Sequence, residues 1–261
     1  MKARELYHSL DFLGKTQQNW AFSHLVGKDY GEVFLDNPEV KGIKEKLLQI
    51  KRGYKKGIPL AYLLEESYFY GRRFYVNPDV LIPRPETEGL VERALDLPWK
   101  KALDLCTGSG VIATTLYLEK GGHIQGVDLS HKALALAKKN AKELGAQVDF
   151  SQGDLFSGLS GKFDLIISNP PYIKTASMMD LEVSLYEPHL ALDGGRDGLD
   201  LIRRILEEAP SYLNPGGHLL LEIGDEQADK LLCLGQSFCG RIEVDLAKKP
   251  RYYIGRKKEI C

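Results

Sequence analysis

The chain has 261 residues, 43% hydrophobic and 27% charged, with a formal net charge of −1. That allows one large domain or two small ones, each with a core, and no global basic field marks a nucleic-acid binder. Charges interrupt the N-terminal stretch MKARELYHSLDFLGKTQ, and no 18-residue apolar run exists. The four cysteines and six histidines lack ligand spacing, so a cytoplasmic protein without metal, disulfides or membrane segments is expected.

Residues 1–65 carry helical signals and little strand signal. ELYHSLDFL spaces Leu6, Leu10 and Leu13 three to four apart. NPEVKGIKEKLLQIKRGYKKG reads as a helix with Asn37 as N-cap and Pro38 at its first position. A small unit of two to four helices is expected over 1–65. Residues 66–83 change character: YFYGRRFYV and DVLI are β-rich and flank NPD, which predicts a hairpin linking the helical unit to the rest.

Over 84–261 strand and helix alternate. KALDLC, HIQGVDLS, QVDFSQGD, KFDLIISN and HLLLEIG read as strands, with GVIATTLYLEK, HKALALAKKNAKELG and LDLIRRILEEAPSYL as intervening helices. Such alternation implies a parallel sheet covered on both faces. RIEVDLA and RYYIGRKK add two strands with only KKP between them. A link that short favours an antiparallel pair, so the last strand should be reversed. The predicted α/β fold resembles the Rossmann-like, seven-stranded sheet of class I S-adenosylmethionine-dependent methyltransferases.

The chemistry-bearing residues gather at strand ends, where open α/β sheets bind ligands. LDLCTGSGVIA joins the first strand of the sheet to its helix; Gly108 and Gly110 let a ligand approach the backbone there. Asp128 ends the next strand, where a carboxylate can accept from both ribose hydroxyls of a nucleoside. Ala113 replaces the third glycine of a dinucleotide fingerprint, which favours an adenosine-type ligand. Asp154 closes the third strand and can accept from an adenine amino group, with Leu155 and Phe156 offering apolar faces to the ring.

SNPPYI, residues 168–173, leaves a buried apolar strand. Pro170 and Pro171 stiffen the exit and remove two N–H donors. An amide nitrogen is a poor nucleophile because its lone pair is delocalised. Two acceptors, the Asn169 side-chain oxygen and the Pro170 carbonyl, could hold its two N–H groups and turn the lone pair toward an electrophilic methyl. Tyr172 could stack on the planar substrate group. This is catalysis by positioning.

NPPY after such a sheet resembles the amino-directed methyltransferases. LIPRPETEGLVE (81–92), YEPHLALDGGRDGL (186–199) and PGGHLLLEIG (215–224) are similar to the HemK/PrmC family, which methylates the glutamine side chain of peptide chain release factors. The resemblance spans about residues 50–256. It implies S-adenosyl-L-methionine as cofactor, with S-adenosyl-L-homocysteine as product. It implies cofactor contacts from Cys106, Thr107, Gly108, Ser109 and Gly110, from Asp128 and from Asp154 or Leu155. Asn169, Pro170, Pro171 and Tyr172 would hold the glutamine of a Gly-Gly-Gln loop, with Asn169 also against the cofactor, and Arg84, Pro85 and Thr87 would line the floor. A catalytic domain over 84–261 and an N-terminal helical bundle that grips the release factor are implied too. Cys106 and Glu65 stand where the family often has glycine, and Leu155 where an aromatic is common.

A glutamine methyltransferase acting on a ribosomal protein is the nearest alternative. A DNA adenine methyltransferase would need a target-recognition domain and a basic face, and the segments outside the sheet are small and neutral. A non-catalytic module of the same fold would be expected to have lost Asn169 or Asp128, and both are present. A monomer that does not bind nucleic acid directly is the expectation.

Overall fold

The computed structural model describes residues 1–178 and 185–259. Two compact units divide at Glu66 and Ser67.

The first unit holds α1 (Ala3–Ser9), α2 (Lys15–Val26), α3 (Tyr30–Val33), α4 (Lys44–Lys55) and α5 (Leu60–Leu64). Leu6, Leu10, Phe22, Ile50 and Leu64 form its core, with the Tyr7 and Tyr30 rings stacked at 3.7 Å. The α4 helix begins at Lys44, so the expected start at Asn37 and Pro38 is wrong. That segment is used otherwise: Ala3 N–H donates to the Pro38 carbonyl and Val40 N–H to the Met1 carbonyl. Asn37 turns with φ +41° and accepts the Arg4 N–H on its side chain.

A hairpin opens the second unit, but both its strands lie within YFYGRRFYV and the residues just before it: β1 (Glu66–Phe69) and β2 (Arg72–Tyr75). The expected partner strand DVLI does not form. NPD does turn, with Val80 N–H donating to the Asn77 carbonyl, and Val80 is then buried in the wall of a cavity.

The remaining strands are β3 (Lys101–Leu105), β4 (His123–Asp128), β5 (Asp149–Gln152), β6 (Phe163–Ser168), β7 (Leu213–Glu222), β8 (Phe238–Val244) and β9 (Pro250–Lys257). They form one sheet in the order β5-β4-β3-β6-β7-β9-β8. Five strands pair in parallel, and β9 runs antiparallel between β7 and β8. The seven-stranded sheet with a reversed last strand is the expected one.

Successive side chains of a strand point to opposite faces, and the core is divided accordingly. Leu103, Leu105, Ile166, Leu219 and Leu221 pack with α10 (Asp200–Tyr212) on one face. Ala102, Leu165, Ile167 and Leu220 pack with α6 (Pro85–Leu95) and α7 (Val111–Lys120) on the other. The α8 helix (His131–Leu144) is capped by Ser130, whose hydroxyl accepts the Ala133 N–H. Two short helices, α9 (Thr175–Met178) and α11 (Ala228–Leu234), complete the unit. No helix among the described residues is long and apolar enough to cross a membrane. Cys106, Cys233 and Cys239 are free thiols, and Cys261 lies outside the described residues.

Candidate active site

A cavity of about 340 Å³ opens at the carboxyl ends of β3, β4, β5 and β6. Its size is that of a small-molecule site.

The loop after β3 forms one wall. Gly110 takes φ +79° at the start of α7, and a Cβ there would stand 2.9 Å from that of Ala137. Glycine is required on both counts. Asn140 ties the loop down by donating to the Ser109 and Tyr75 carbonyls. Beneath it, fully buried Asp104 accepts from the Thr107 hydroxyl (2.5 Å) and the Ala113 N–H (3.2 Å), both on Oδ2. Its Oδ1 has no partner. Burial pushes this carboxyl up to about 7 against the pull of those two donors, and the nearby Asp128 charge adds to the rise.

Asp128 faces the same cavity from the end of β4. Its Oδ2 accepts the Gly108 N–H at 2.8 Å and its Oδ1 the Ser130 N–H at 2.9 Å, so it latches the two loops together. Because Ser130 caps α8, Asp128 is free of that duty. Burial holds its carboxyl above the usual range despite these N–H groups. Carboxylate oxygens have two lone pairs each, so acceptor capacity remains.

Cys106 and Leu155 both line the cavity with positive φ, +58° and +52°. Burial pushes the Cys106 thiol far up, so it is a wall and not a nucleophile. Asp154 also lines the cavity, in an ion pair with Arg204 at 3.0 Å. Phe156 does not: it is buried in the core and stacked on Tyr212, with centroids 4.6 Å apart. The expectation that it offers a face to a ligand is wrong, because the left-handed turn at Leu155 sends the next side chain inward.

Asn169 and Pro171 reach the cavity from the loop after β6, and Arg84 and Thr87 from the start of α6. Pro85 occupies the first position of α6, where its missing N–H costs nothing. Gly110, Pro85, Pro170 and Tyr172 are not in the cavity wall. Asn169 Nδ2 donates to Thr87 Oγ1 (3.0 Å), and the Thr87 hydroxyl donates to Glu222 Oε2 (2.7 Å). The Tyr172 hydroxyl donates to Glu222 Oε1 (3.2 Å), so Tyr172 points into the same buried chain. Burial raises the Glu222 carboxyl, opposed by these hydroxyls and by the Arg251 charge. Burial and the Glu222 charge raise the Tyr172 phenol in turn. A second buried acid, Glu187, accepts from the Ile82 N–H (3.2 Å) and the Arg84 guanidinium (2.6 Å).

The four motifs therefore meet in space. PRPET is joined to YEP by Glu187, and to NPPY and LLLEIG through Thr87 and Glu222. DGGRDG packs on the NPPY backbone: at Gly198, φ +77°, any Cβ would strike the Tyr172 carbonyl. Sequence reading missed Asp104, Glu187 and Glu222. In the strands LDL and LLLE a lone acid among leucines was the available signal, because a buried carboxylate needs donors waiting for it.

The Methyltransferase small domain family model matches residues 86–186. Release factor glutamine methyltransferase of Cereibacter sphaeroides is 47% identical over 191 residues, 71% of this chain and 66% of that one. Its namesake from Geobacter sulfurreducens is 43% identical over 229 residues, 84% of this chain and 80% of that one. Among solved structures, a methyltransferase from Pyrococcus furiosus superposes with TM-score 0.58 at 22% identity, covering 82% of this chain and 98% of its own. That likeness supports the fold.

Proposed function

The chain belongs to the release factor glutamine methyltransferases, and from that membership we propose that it methylates the side-chain amide nitrogen of the glutamine in the Gly-Gly-Gln motif of peptide chain release factors. The observation that carries this reading is the Asn169 amide, on the cavity wall with its Nδ2 turned to Thr87. Its carbonyl oxygen is thus the end left for a substrate N–H.

S-adenosylmethionine supplies a methyl carbon on a positively charged sulfur, an electrophile for which the amide nitrogen is the acceptor. The residues present fit it. Asp79, Asp128, Asp154 and Asp193 line the cavity against Arg84 and Arg204, and both arginines are paired with acids. Val127, Leu129, Leu155, Ile112 and Ala133 give apolar walls for a ring.

Asp128 would take the ribose, the 106–110 loop the amino-acid end and Asp154 with Leu155 the base. Asn169 Oδ1 and the Pro170 carbonyl would hold the two N–H groups of the glutamine, opposing delocalisation of its lone pair. Pro170 and Pro171 keep those acceptors still, so little reorganisation accompanies the transfer. The Glu187–Arg84 pair fixes the floor below Pro83. The first unit, Met1–Glu66, would dock the folded release factor, with the second unit carrying out the chemistry.

The test is methyl transfer from labelled S-adenosylmethionine to a panel of purified release factors, ribosomal proteins and duplex DNA, followed by fragmentation to locate the methyl. Label on the Gly-Gly-Gln glutamine is expected. Label on a ribosomal protein or on adenine alone would replace this reading with the corresponding alternative.

A further inference from the structure

The hydrogen-bond chain behind Asn169 has a direction, and Glu222 sets it. An asparagine amide can lie two ways round in one volume, with oxygen and nitrogen exchanged. Only one of them offers an acceptor to a substrate N–H. The Thr87 hydroxyl has a single proton. Glu222 is 1% exposed and is met by two hydroxyls, Thr87 at 2.7 Å and Tyr172 at 3.2 Å; as a carboxylate it carries no donor, and in that form both hydroxyls give it their protons. With its proton spent, Thr87 Oγ1 can only accept, and the group facing it at 3.0 Å must be the NH₂ of Asn169. The reversed amide would need Thr87 to donate forward, leaving a buried carboxylate oxygen without its donor.

We propose that Glu222 is a positioning residue that fixes the Asn169 amide with its oxygen toward the reacting glutamine. The idea rests on the reading of Asn169 given above. Glu222 stands at the carboxyl end of β7, 135 residues from Thr87, and is not part of the cavity wall.

Glu222→Gln reverses the direction. The Tyr172 hydroxyl still needs an acceptor, which the oxygen of the introduced amide supplies; its NH₂ then points at Thr87 and donates to it. Thr87 releases its proton toward Asn169, whose amide turns over and presents NH₂ to the substrate NH₂. Single-turnover transfer to a release factor should slow on the order of 10-fold or more, with cofactor affinity unchanged. The discriminating arm is Asn169→Asp. A carboxylate has no wrong face, and beside Glu222 it competes for the one Thr87 proton. Adding Glu222→Gln to Asn169→Asp should therefore leave the rate the same or raise it. Equal fold-losses from Glu222→Gln in both backgrounds would mean that Glu222 is merely structural, and would overturn the proposal.

A substrate-free readout separates this from failure of the functional reading. In asparagine-¹⁵N-labelled protein, with Asn169→Asp supplying the assignment, the Asn169 NH₂ should show close contacts to the Thr87 side chain and slow exchange. Both should vanish in Glu222→Gln. A freely exchanging amide in the wild type, or one unaffected by the substitution, would sink the positioning role even if no release factor were methylated. Methyl transfer absent from the wild type, with the amide signature intact, would count against the substrate alone.

Discussion

Asp104 offers a test of the site's electrostatics that needs no substrate. Its carboxyl is fully buried, has one oxygen without a partner and is pushed from 3.8 up to about 7. A raised acid binds its proton more tightly in the folded state than in the unfolded one. Its contribution to stability is therefore complete below about pH 3.8 and is lost as pH rises through about 7. At about 1.4 kcal/mol per pH unit, the whole loss is about 4 kcal/mol, of which about 3 kcal/mol falls above pH 5. Asp104→Asn keeps an oxygen for Thr107 and Ala113 and mimics the protonated acid at every pH. Its stability relative to wild type should rise by about 3 kcal/mol between pH 5 and pH 8.5, whatever constant offset the amide introduces.

Urea titrations at fixed pH values measure this, read from Trp99, the single tryptophan of the second unit, in a Trp20→Phe background. Only the difference between the two curves matters, which cancels every other titrating group. Curves that stay parallel from pH 5 to 8.5 would refute the reasoning, since the carboxyl would then ionise equally well inside and out.

Asn169→Ala should bind S-adenosylmethionine nearly normally by calorimetry, yet turn over on the order of 10²-fold more slowly in a single-turnover assay; a retained rate would make the NPPY loop architecture only. Asp128→Ala removes a carboxylate from the cavity and unlatches Gly108 from Ser130, so cofactor binding should weaken by about 1.5–3 kcal/mol in the same titration. Cys106→Gly relieves a left-handed backbone of φ +58° and should raise stability in thermal melts by up to about 1 kcal/mol, the strain removed less the extra freedom glycine has when unfolded.

The sheet was legible because its strands are short apolar runs between turn-formers, and because KKP leaves no room for a crossover. The misreadings have physical causes of the same kind. DVLI has the composition of a strand, but its Val80 is buried beside the cavity and its Ile82 N–H donates to the distant Glu187 carboxylate. NPE has the composition of a helix start, but the Pro38 carbonyl accepts the Ala3 N–H and Val40, just after it, donates to the Met1 carbonyl. In both cases local propensity was overridden by a partner distant in sequence. Cys106 and Glu65, which depart from a frequent glycine, both sit at positive φ, as does Leu155. At the first two the backbone geometry is the constraint glycine would have met without strain.

What the sequence could not convey is the pairing of its acids. Asp128 and Asp154 were readable because they stand at or just past the carboxyl ends of strands, where open α/β sheets bind ligands. Glu187 and Glu222 pair behind the cavity wall, and their partners lie 50 to 135 residues away. No spacing rule reaches that far. A physical rule does: a buried carboxylate is tolerated only where donors are built for it. The motif PRPET supplies two of those donors, the Arg84 guanidinium for Glu187 and the Thr87 hydroxyl for Glu222. PRPET thus combines a Pro-started helix with two donors aimed at acids from other strands and loops. Its Thr87 links Glu222 to Asn169, so on the proposed reading the motif would serve the amide-holding apparatus as much as the floor beneath it.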